Sequence, residues 1–258
     1  MQFFKMQALG NDFIVYGSPS KTTLPTASQI KQLCNRKYGV GADCVIFIGQ
    51  SAFCDYFMHV YNPDGFEAEI CGNALRCSAK YVNQCGYFNK KLLNIETLSG
   101  QRTAVIDGDF IKCEIGSPEI SQQGVIDING VSLPYLYISV GNPHCVIFTD
   151  YGLSDQEFYH YGPIIERHPT FPNGTNVEFA GVSDNNKIVM RVWERGIGET
   201  LSCSTGSCAC VAAAQSKGFC GNNVQVYQPG GIIEVTTENK TMYINGKCNT
   251  VFTGKIAL

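Results

Sequence analysis

The sequence predicts an α+β fold of two pseudo-symmetric domains, each a mostly antiparallel strand layer curled around a central buried helix. The first observation behind this prediction is a set of five pairings that occur in the same order at an offset of about 130 residues. The second is a series of short segments rich in β-branched and aromatic residues and bounded by Gly, Asn or Pro, as strands usually are. The third is a run of small apolar residues that follows a cysteine of the second copy.

The duplication is clearest around Cys71 and Cys203. The segments that end at these cysteines, 62–71 and 194–203, resemble each other, and each has a glutamate four residues before its cysteine. A period of this length indicates two copies of one domain, because solenoid repeats are far shorter. The other matching segments are 10–13 with 141–144, 45–49 with 177–181, and 98–100 with 228–230.

The duplication implies two domains, which we expect to cover 1–118 and 119–258, with the last strand able to return to the first domain. The polar stretch 118–129 has the composition of a linker between them. The predicted strands are 13–16, 45–48, 56–61, 103–106, 111–115, 136–140, 145–148, 188–193, 224–227 and 232–236.

Two kinds of helix are expected. A buried helix follows each paired cysteine, and in the second copy it includes 207–214, which is apolar on every face. A surface helix is expected at 28–37, where Ile30, Leu33 and Cys34 form one apolar stripe.

Composition excludes several classes of function. The 258 residues carry a formal net charge of -3, and Lys and Arg are neither abundant nor clustered, so no nucleic-acid partner is expected. No stretch approaches the roughly 18 apolar residues of a membrane-spanning helix, so no membrane partner is expected. Residues 1–6 lack the charged leader and apolar run of a signal peptide, and a cytoplasmic protein is therefore expected.

The chain has 13 cysteines and only 4 histidines. An odd number of cysteines without a secretion signal argues against a disulfide framework. The closely spaced cysteines also lack the repeated spacing of a structural zinc site, so no metal is expected. Most of these cysteines are therefore expected to be small buried hydrophobic residues in a reducing compartment.

Cys71 and Cys203 differ from the other cysteines because each lies directly before a predicted buried helix. The free N–H groups and positive dipole of a helix N-terminus lower the pKa of a thiol and can hold a carboxylate. Two such helices at a cleft between the domains would place a thiol on either side of an α-carbon. Inverting that carbon by proton exchange needs a base on one face and an acid on the other. The pattern thus predicts a cofactor-independent amino-acid racemase or epimerase.

Specific motifs along essentially the whole chain resemble the diaminopimelate epimerase family. This family interconverts LL- and meso-diaminopimelate without pyridoxal phosphate or metal, in lysine and peptidoglycan precursor synthesis. The resemblance implies the two-domain fold described above, with the active site in the cleft, and we expect a homodimer. The motifs are ALGNDF at 8–13, GVGAD at 39–43, YNPDG at 61–65, CGN at 71–73, GNPHC at 141–145, TNVEF at 175–179, ERG at 194–196 and GET at 198–200 before Cys203.

The resemblance also implies roles for individual residues. Cys71 and Cys203 are expected to be the acid/base pair, and His144 and Glu194 to tune the thiols or the substrate amine. Four residues are expected to hold the reacting carboxylate through their N–H groups: Gly72, Asn73, Ser204 and Thr205. The distal end of the substrate would be bound by Asn62, Asn176, Glu194 and Arg195, and the cleft would be lined by Asn11 and Asn142.

The sequence departs from the family pattern at three positions. Ala74 and Ser204 stand where the family usually has glycine, and Cys44 stands where Gln or Gly is common. Ala74 and Ser204 could restrict backbone conformations that glycine permits. One alternative is therefore a racemase of another amino acid, such as histidine or lanthionine, on the same fold. A second is a non-catalytic amino-acid-binding module, and a zinc protein is disfavoured by the cysteine spacing.

Overall fold

A computed structural model describes residues 1–68, 70–149, 153–184 and 186–257 of the chain. The chain divides into two compact units. The first comprises Met1–Glu114 with the C-terminal segment from Asn245, and the second comprises Ile115–Ile244. Glu69, which belongs to the first copy of the repeated motif, lies outside the described residues.

The two units contain similar elements in a similar order. The N-terminal half of the chain contains β1 (Gln2–Ala8), β2 (Asn11–Gly17), α1 (Ala27–Cys34), β3 (Cys44–Gly49), β4 (Tyr56–Tyr61), α2 (Gly72–Gln84), β5 (Leu92–Thr97), β6 (Gly100–Asp107) and β7 (Phe110–Gly116). They are followed by β8 (Glu119–Ile128), β9 (Val131–Ser139), β10 (Pro143–Phe148), α3 (Asp155–Glu166), β11 (Asn176–Asp184), β12 (Lys187–Glu194), β13 (Gly198–Thr200), α4 (Ser204–Ser216), β14 (Asn223–Gln228), β15 (Gly231–Glu238) and β16 (Thr241–Lys247). The final strand, β17 (Asn249–Lys255), pairs antiparallel with β1 in the first unit.

Strand pairing follows the same scheme in both units. In the first unit β1–β2, β3–β4 and β5–β6 pair antiparallel, whereas β2–β3 and β4–β5 pair parallel. In the second unit β9–β10, β11–β12 and β14–β15 pair antiparallel, whereas β10–β11 and β12–β14 pair parallel. This shared topology confirms that the chain contains two copies of one α+β unit.

The central helix of each unit begins directly after a paired cysteine. α2 and α4 both have 13 residues. α4 is buried from Ser204 to Ala214, because its run of Ala, Cys and Val offers no polar face to solvent. α2 contacts β1, β2 and β6, and α4 contacts strands β9 to β12 and β15, so each helix packs on strands of its own unit. The predicted central helices are confirmed.

A shorter helix packs on the other face of each sheet. α1 begins with a capping box between Thr26 and Gln29 and buries Ile30 and Leu33, as predicted. It ends at Cys34, three residues before the predicted end, because the side chain of Asn35 accepts hydrogen bonds from the backbone N–H groups of Lys37 and Tyr38 and forms a turn.

The helix α3 was not predicted from the sequence. Ser154 and Glu157 form its capping box, and Phe158 and Ile165 bury its apolar face. It stands at the position in the second unit that α1 has in the first.

Helices on both faces explain why the inner strands are apolar throughout. In β2 the four residues from Phe13 to Tyr16 are all buried. Ile14 and Tyr16 belong to the core cluster around α1, and the alternating residues face the side where α2 contacts β2. Continuous apolar strands of this kind indicate a sheet with no face in water.

The segment 118–129, expected to be a linker, is instead largely strand β8, which forms an antiparallel hairpin with β9. The linker prediction is wrong because polar composition does not distinguish a loop from a strand whose side chains face solvent. Most of β8 is exposed, so its polar side chains face solvent while Ile126 and Ile128 join the core. Gly124 fits closely over the ring of Tyr135, which a side chain at that position would clash with.

Candidate active site

Cys71 and Cys203 occupy equivalent positions in the two units. Each is the N-cap of a central helix with extended backbone, at φ -144° and ψ 110° for Cys71 and φ -126° and ψ 114° for Cys203. The backbone N–H of Leu75 donates to the carbonyl of Cys71, and that of Ser207 to Cys203, both at 3.0 Å. The N–H groups ahead of these bonds lie at the positive end of the helix dipole. Each thiol therefore adjoins an electropositive helix end in its own unit.

The two departures from glycine do not distort these helix ends. Ala74 and Ser204 both lie in helical backbone, which any residue other than proline adopts readily. The side chain of Asn73 is buried and accepts a hydrogen bond from the buried guanidinium of Arg76. Its side-chain oxygen is therefore bonded within the protein, which is consistent with a role for Asn73 through its backbone N–H.

The thiol of Cys203 is buried and surrounded by hydrogen-bonding groups. Its Sγ lies 3.4 Å from Oγ1 of Thr205 and accepts the backbone N–H of Gly206 at 3.3 Å. The backbone N–H of Cys203 donates to Oε1 of Gln228 at 2.8 Å. These contacts fix both the backbone and the side chain of Cys203.

Burial raises the pKa of the Cys203 thiol well above its ordinary value. The negative charges of Glu194 and Glu178 raise this pKa further, whereas hydrogen bonds from Thr205 and Gly206 lower it. The sequence predicted a lowered pKa from the helix N-terminus alone. The structure differs because removal of the thiol from water and two nearby carboxylates outweigh the helix dipole. In the free protein Cys203 therefore rests as a neutral thiol.

This raised pKa predicts how alkylation of Cys203 depends on pH. The reaction of Cys203 with iodoacetamide, followed by mass spectrometry of its peptide, should rise only above the ordinary thiol pKa of about 8.5. Glu194→Gln removes a charge that disfavours the thiolate, so the profile should move to lower pH. Glu157→Gln, at the exposed N-terminus of α3, is the control and should leave the profile unchanged. Half-maximal alkylation of the wild type below pH 7 would contradict a raised pKa.

A chain of hydrogen bonds connects four predicted site residues with Cys203 at its end. Nδ1 of His144 lies 2.6 Å from Oε1 of Glu178, and both side chains are fully buried. Nε2 of His144 lies 2.9 Å from Oδ1 of Asn142, whose Nδ2 donates to Oγ1 of Thr205 at 3.3 Å. The structure thus brings Asn142, His144, Thr205 and Cys203 together within the second unit.

The segment that carries Arg195 is held by its backbone. Oδ1 of Asn176 accepts the N–H of Arg195 at 3.0 Å, and Nδ2 of Asn176 donates to the carbonyl of Pro143 at 2.8 Å. Oε1 of the buried Glu166 accepts the N–H of Gly196 at 2.8 Å. Asn176 and Glu166 therefore fix the position of Arg195 from both sides.

The side chain of Arg195 is exposed and crosses Gly174. A Cβ at Gly174 would approach Cδ of Arg195 to 3.2 Å, and its φ of 70° also favours glycine. Nη1 of Arg195 donates to the carbonyl of Asn173 at a long 3.4 Å. Among the described residues this is the one hydrogen bond of the guanidinium.

In the first unit the structure shows the surroundings of Asn11, Asn62 and Cys44. Oδ1 of Asn11 is buried and has no hydrogen-bond partner in the part of the chain that the structure describes. Asn142, the counterpart of Asn11 in the repeat, uses its own Oδ1 within the protein. The thiol of Cys44, one of the departures, lies 3.7 Å from Oδ1 of Asn62. The substitution at residue 44 therefore adjoins a residue expected to bind the substrate.

Sequence reasoning missed Glu178, Gln228 and Glu166. Glu178 lies in the motif at 175–179, and Gln228 begins a repeated segment. Both residues therefore belong to segments that the sequence singles out, but the sequence alone assigns neither a role. The signal for Glu178 was an acidic residue in an otherwise apolar strand, which indicates a buried and paired carboxylate. Glu166 ends α3, and without that helix its position could not be inferred.

Two further properties concern the described residues as a whole. They contain no group of three or more His, Cys, Asp or Glu side chains placed to hold a metal ion. None of their helices is long and apolar enough to cross a membrane.

Solved structures with the same fold are found among racemases and related proteins. A phenazine biosynthesis protein of Bacillus anthracis has a TM-score of 0.78 at 16% identity, over 100% of this chain and 99% of that chain. A probable proline racemase of Agrobacterium radiobacter has a TM-score of 0.76 at 17% identity, over 100% and 93%. The fold is therefore the one that these proteins share.

Sequence comparison gives the family. The family model for diaminopimelate epimerase matches residues 3–121 and 136–253. A diaminopimelate epimerase of Desulforudis audaxviator is 39% identical, with 99% of each chain covered, and one of Carboxydothermus hydrogenoformans is 36% identical, with 100% of each covered. The chain belongs to the diaminopimelate epimerase family and is an isomerase.

Proposed function

We propose that this protein interconverts LL- and meso-diaminopimelate without a cofactor, with Cys71 and Cys203 as the acid/base pair, in lysine and peptidoglycan precursor synthesis. The observation that carries the proposal is a cysteine at the N-cap of the central helix in both copies of the unit. Inversion of a stereocentre needs a base on one face and an acid on the other, and two equivalent thiols provide both.

The helix ends supply the remaining chemistry. The backbone N–H groups of Gly72 and Asn73, together with those of Ser204 and Thr205, bind the carboxylate next to the reacting carbon. As the α-proton leaves, negative charge spreads onto that carboxylate, where fixed N–H donors stabilise it. Burial keeps Cys203 protonated in the free protein, so Cys203 begins as the acid. For that direction of the reaction the base is Cys71, and turnover exchanges the two roles.

The other predicted residues select the substrate. Arg195 presents donors that match the distal carboxylate of diaminopimelate, and Asn62, Asn176 and Glu194 complete the binding of that end. Asn11 and Asn142 line the site. Oδ1 of Asn11, which has no hydrogen-bond partner among the described residues, is an acceptor suited to an ammonium or amide donor. His144 and Glu194 influence the thiols, since the charge of Glu194 raises the pKa of Cys203. A cytoplasmic homodimer stays a prediction.

The test is a comparison of substrates. Purified protein, kept reduced, should epimerise LL-diaminopimelate, as measured by chiral chromatography, and dialysis against a chelator should leave the rate unchanged. Histidine should react at least tenfold more slowly, since it lacks the distal carboxylate and a polar site discriminates strongly against ligands that leave its groups unpaired. A preference for histidine or lanthionine would contradict the proposed substrate, and loss of activity with the chelator would contradict the thiol mechanism.

A further inference from the structure

Glu178 is a fully buried carboxylate among the buried residues in the first half of β11. Its neighbours Val177 and Phe179 belong to the core cluster around α3, so alternation along β11 turns Glu178 to the opposite face, where α4 packs. A buried carboxylate is unfavourable unless it is paired and hydrogen-bonded. Its pairing with His144 at 2.6 Å is therefore a specific feature of this strand.

Helix α4 has a glycine, Gly206, where it faces this carboxylate. A Cβ at Gly206 would lie 2.7 Å from Oε1 of Glu178, so glycine leaves the space that the carboxylate occupies. The same Gly206 donates its backbone N–H to Sγ of Cys203. Oε2 of Glu178 has no hydrogen-bond partner among the described residues, so the contact with His144 is the principal one that holds the carboxylate.

The atoms around His144 define the direction of the hydrogen-bond chain. In the orientation that the structure gives the Asn142 amide, both ring nitrogens face an oxygen, Oε1 of Glu178 and Oδ1 of Asn142, an arrangement that a ring with two N–H donors satisfies. The amide of Asn142 then directs Nδ2 to Oγ1 of Thr205. Because that oxygen accepts a hydrogen bond, the Thr205 hydroxyl hydrogen is available to Sγ of Cys203.

Nearby titratable groups leave His144 as the partner that balances the charge of Glu178. Burial and the charge of Glu178 both raise the pKa of the Cys145 and Cys210 thiols, as they do for Cys203. These thiols are therefore neutral, and Glu194, the other charged group that acts on Cys203, is negative.

We propose that Glu178 is a positioning residue that holds His144 doubly protonated and thereby directs the Thr205 hydroxyl toward Cys203. The effect of Glu178 on catalysis rests on the proposed function, because the Thr205 hydroxyl stabilises Cys203 when Cys203 becomes a thiolate during turnover. Without the charge of Glu178, a neutral His144 has one N–H, which it gives to residue 178. Asn142 then turns its amide by 180° to donate to Nε2, and the Thr205 hydroxyl donates to Asn142 instead of Cys203.

The test combines NMR of the histidine rings with kinetics in Glu178→Gln. The chain has 4 histidines, so ¹⁵N-labelled imidazole signals can be assigned with single variants. At pH 7 the wild type should show both nitrogens of His144 protonated, and Glu178→Gln should show one. The kcat for diaminopimelate should fall at least tenfold with KM changed less than threefold. Glu67→Gln is the matched control, because Glu67 pairs with His59 at 2.7 Å in the other unit, and it should leave the His144 signals unchanged.

Each arm has an outcome that overturns the proposal. A neutral His144 in the wild type, a doubly protonated His144 in Glu178→Gln, or an unchanged kcat in that variant would each contradict the role of Glu178. If Glu178→Gln does not fold, the wild-type spectrum still decides the protonation of His144. Thr205→Val, which removes the final donor, should then lower kcat by a similar factor. The NMR result does not depend on the substrate, so it separates failure of this proposal from failure of the proposed function.

Discussion

Cys71→Ala and Cys203→Ala are each expected to lower kcat/KM for diaminopimelate by a factor of about 10⁴, since positioned acid/base groups contribute up to that much. Either substitution removes the group that serves one face of the α-carbon, and the remaining thiol cannot complete the inversion. The two variants should retain the fold, because alanine keeps the helical backbone that begins at the next residue. Epimerisation is measured by chiral chromatography and the fold by circular dichroism.

Cys113→Ala is the control for this prediction. Cys113 is fully buried inside strand β7 and does not stand at a helix N-terminus, so it has no part in the proposed proton exchange. Its substitution should lower Tm through lost packing and leave kcat/KM within about threefold. Substantial turnover in either Cys71→Ala or Cys203→Ala would refute the two-thiol mechanism.

Arg195→Lys should lower kcat/KM for diaminopimelate severely. The guanidinium offers two parallel donors to a carboxylate, whereas an ammonium offers a point charge on a flexible chain. Disruption of such a pair costs about 2–5 kcal/mol, which corresponds to a factor of roughly 30 or more. Asn176 and Glu166 hold the backbone at this position, so the substitution should change the side chain without moving the segment.

The specificity of the Arg195 effect is measured with a second substrate. Histidine lacks a distal carboxylate, so its slow conversion should change little in Arg195→Lys. Equal loss with both substrates would show that Arg195 supports the structure of the site and not the recognition of the distal end. Circular dichroism of the variant serves as the check on folding.

The fold could be predicted from the duplication and the apolar helix behind Cys203. Once two copies are recognised, each must bury the same helix under its own strands, and the observed pairing scheme follows that logic. The same duplication could have revealed α3, because α1 at Ala27–Cys34 has its counterpart about 130 residues later. The sequence of α3 contains Tyr, His, Gly and Pro163, which have low helix propensity and mask the signal of its capping box.

Strand β8 could not be predicted because its partner determines it. Its residues are polar and mostly exposed, so composition favours a linker, whereas backbone pairing with β9 stabilises a strand. Pairing between strands is a tertiary property, and the hydrophobic periodicity of one segment does not reveal it.

The candidate site shows a similar division between local and tertiary information. The positions of Cys71 and Cys203 at helix starts follow from local sequence and were predicted. The raised pKa of Cys203 depends on its burial and on Glu178 and Glu194, which lie in β11 and β12. The local sequence around Cys203 therefore predicts a lowered pKa, the opposite direction. Glu178 became meaningful only when the structure placed it against His144.

Isotope incorporation in D₂O distinguishes inversion by two thiols from inversion by a single base. LL-diaminopimelate with protium at the α-carbons is converted to the meso form, and early product and remaining substrate are analysed by mass spectrometry. With two thiols, one removes protium and the other delivers deuterium from solvent. Early product is therefore expected to carry one deuterium at the inverted carbon, while the remaining substrate carries none. Early product that retains protium, or substrate that gains deuterium as fast as product forms, would show a single base and contradict the mechanism.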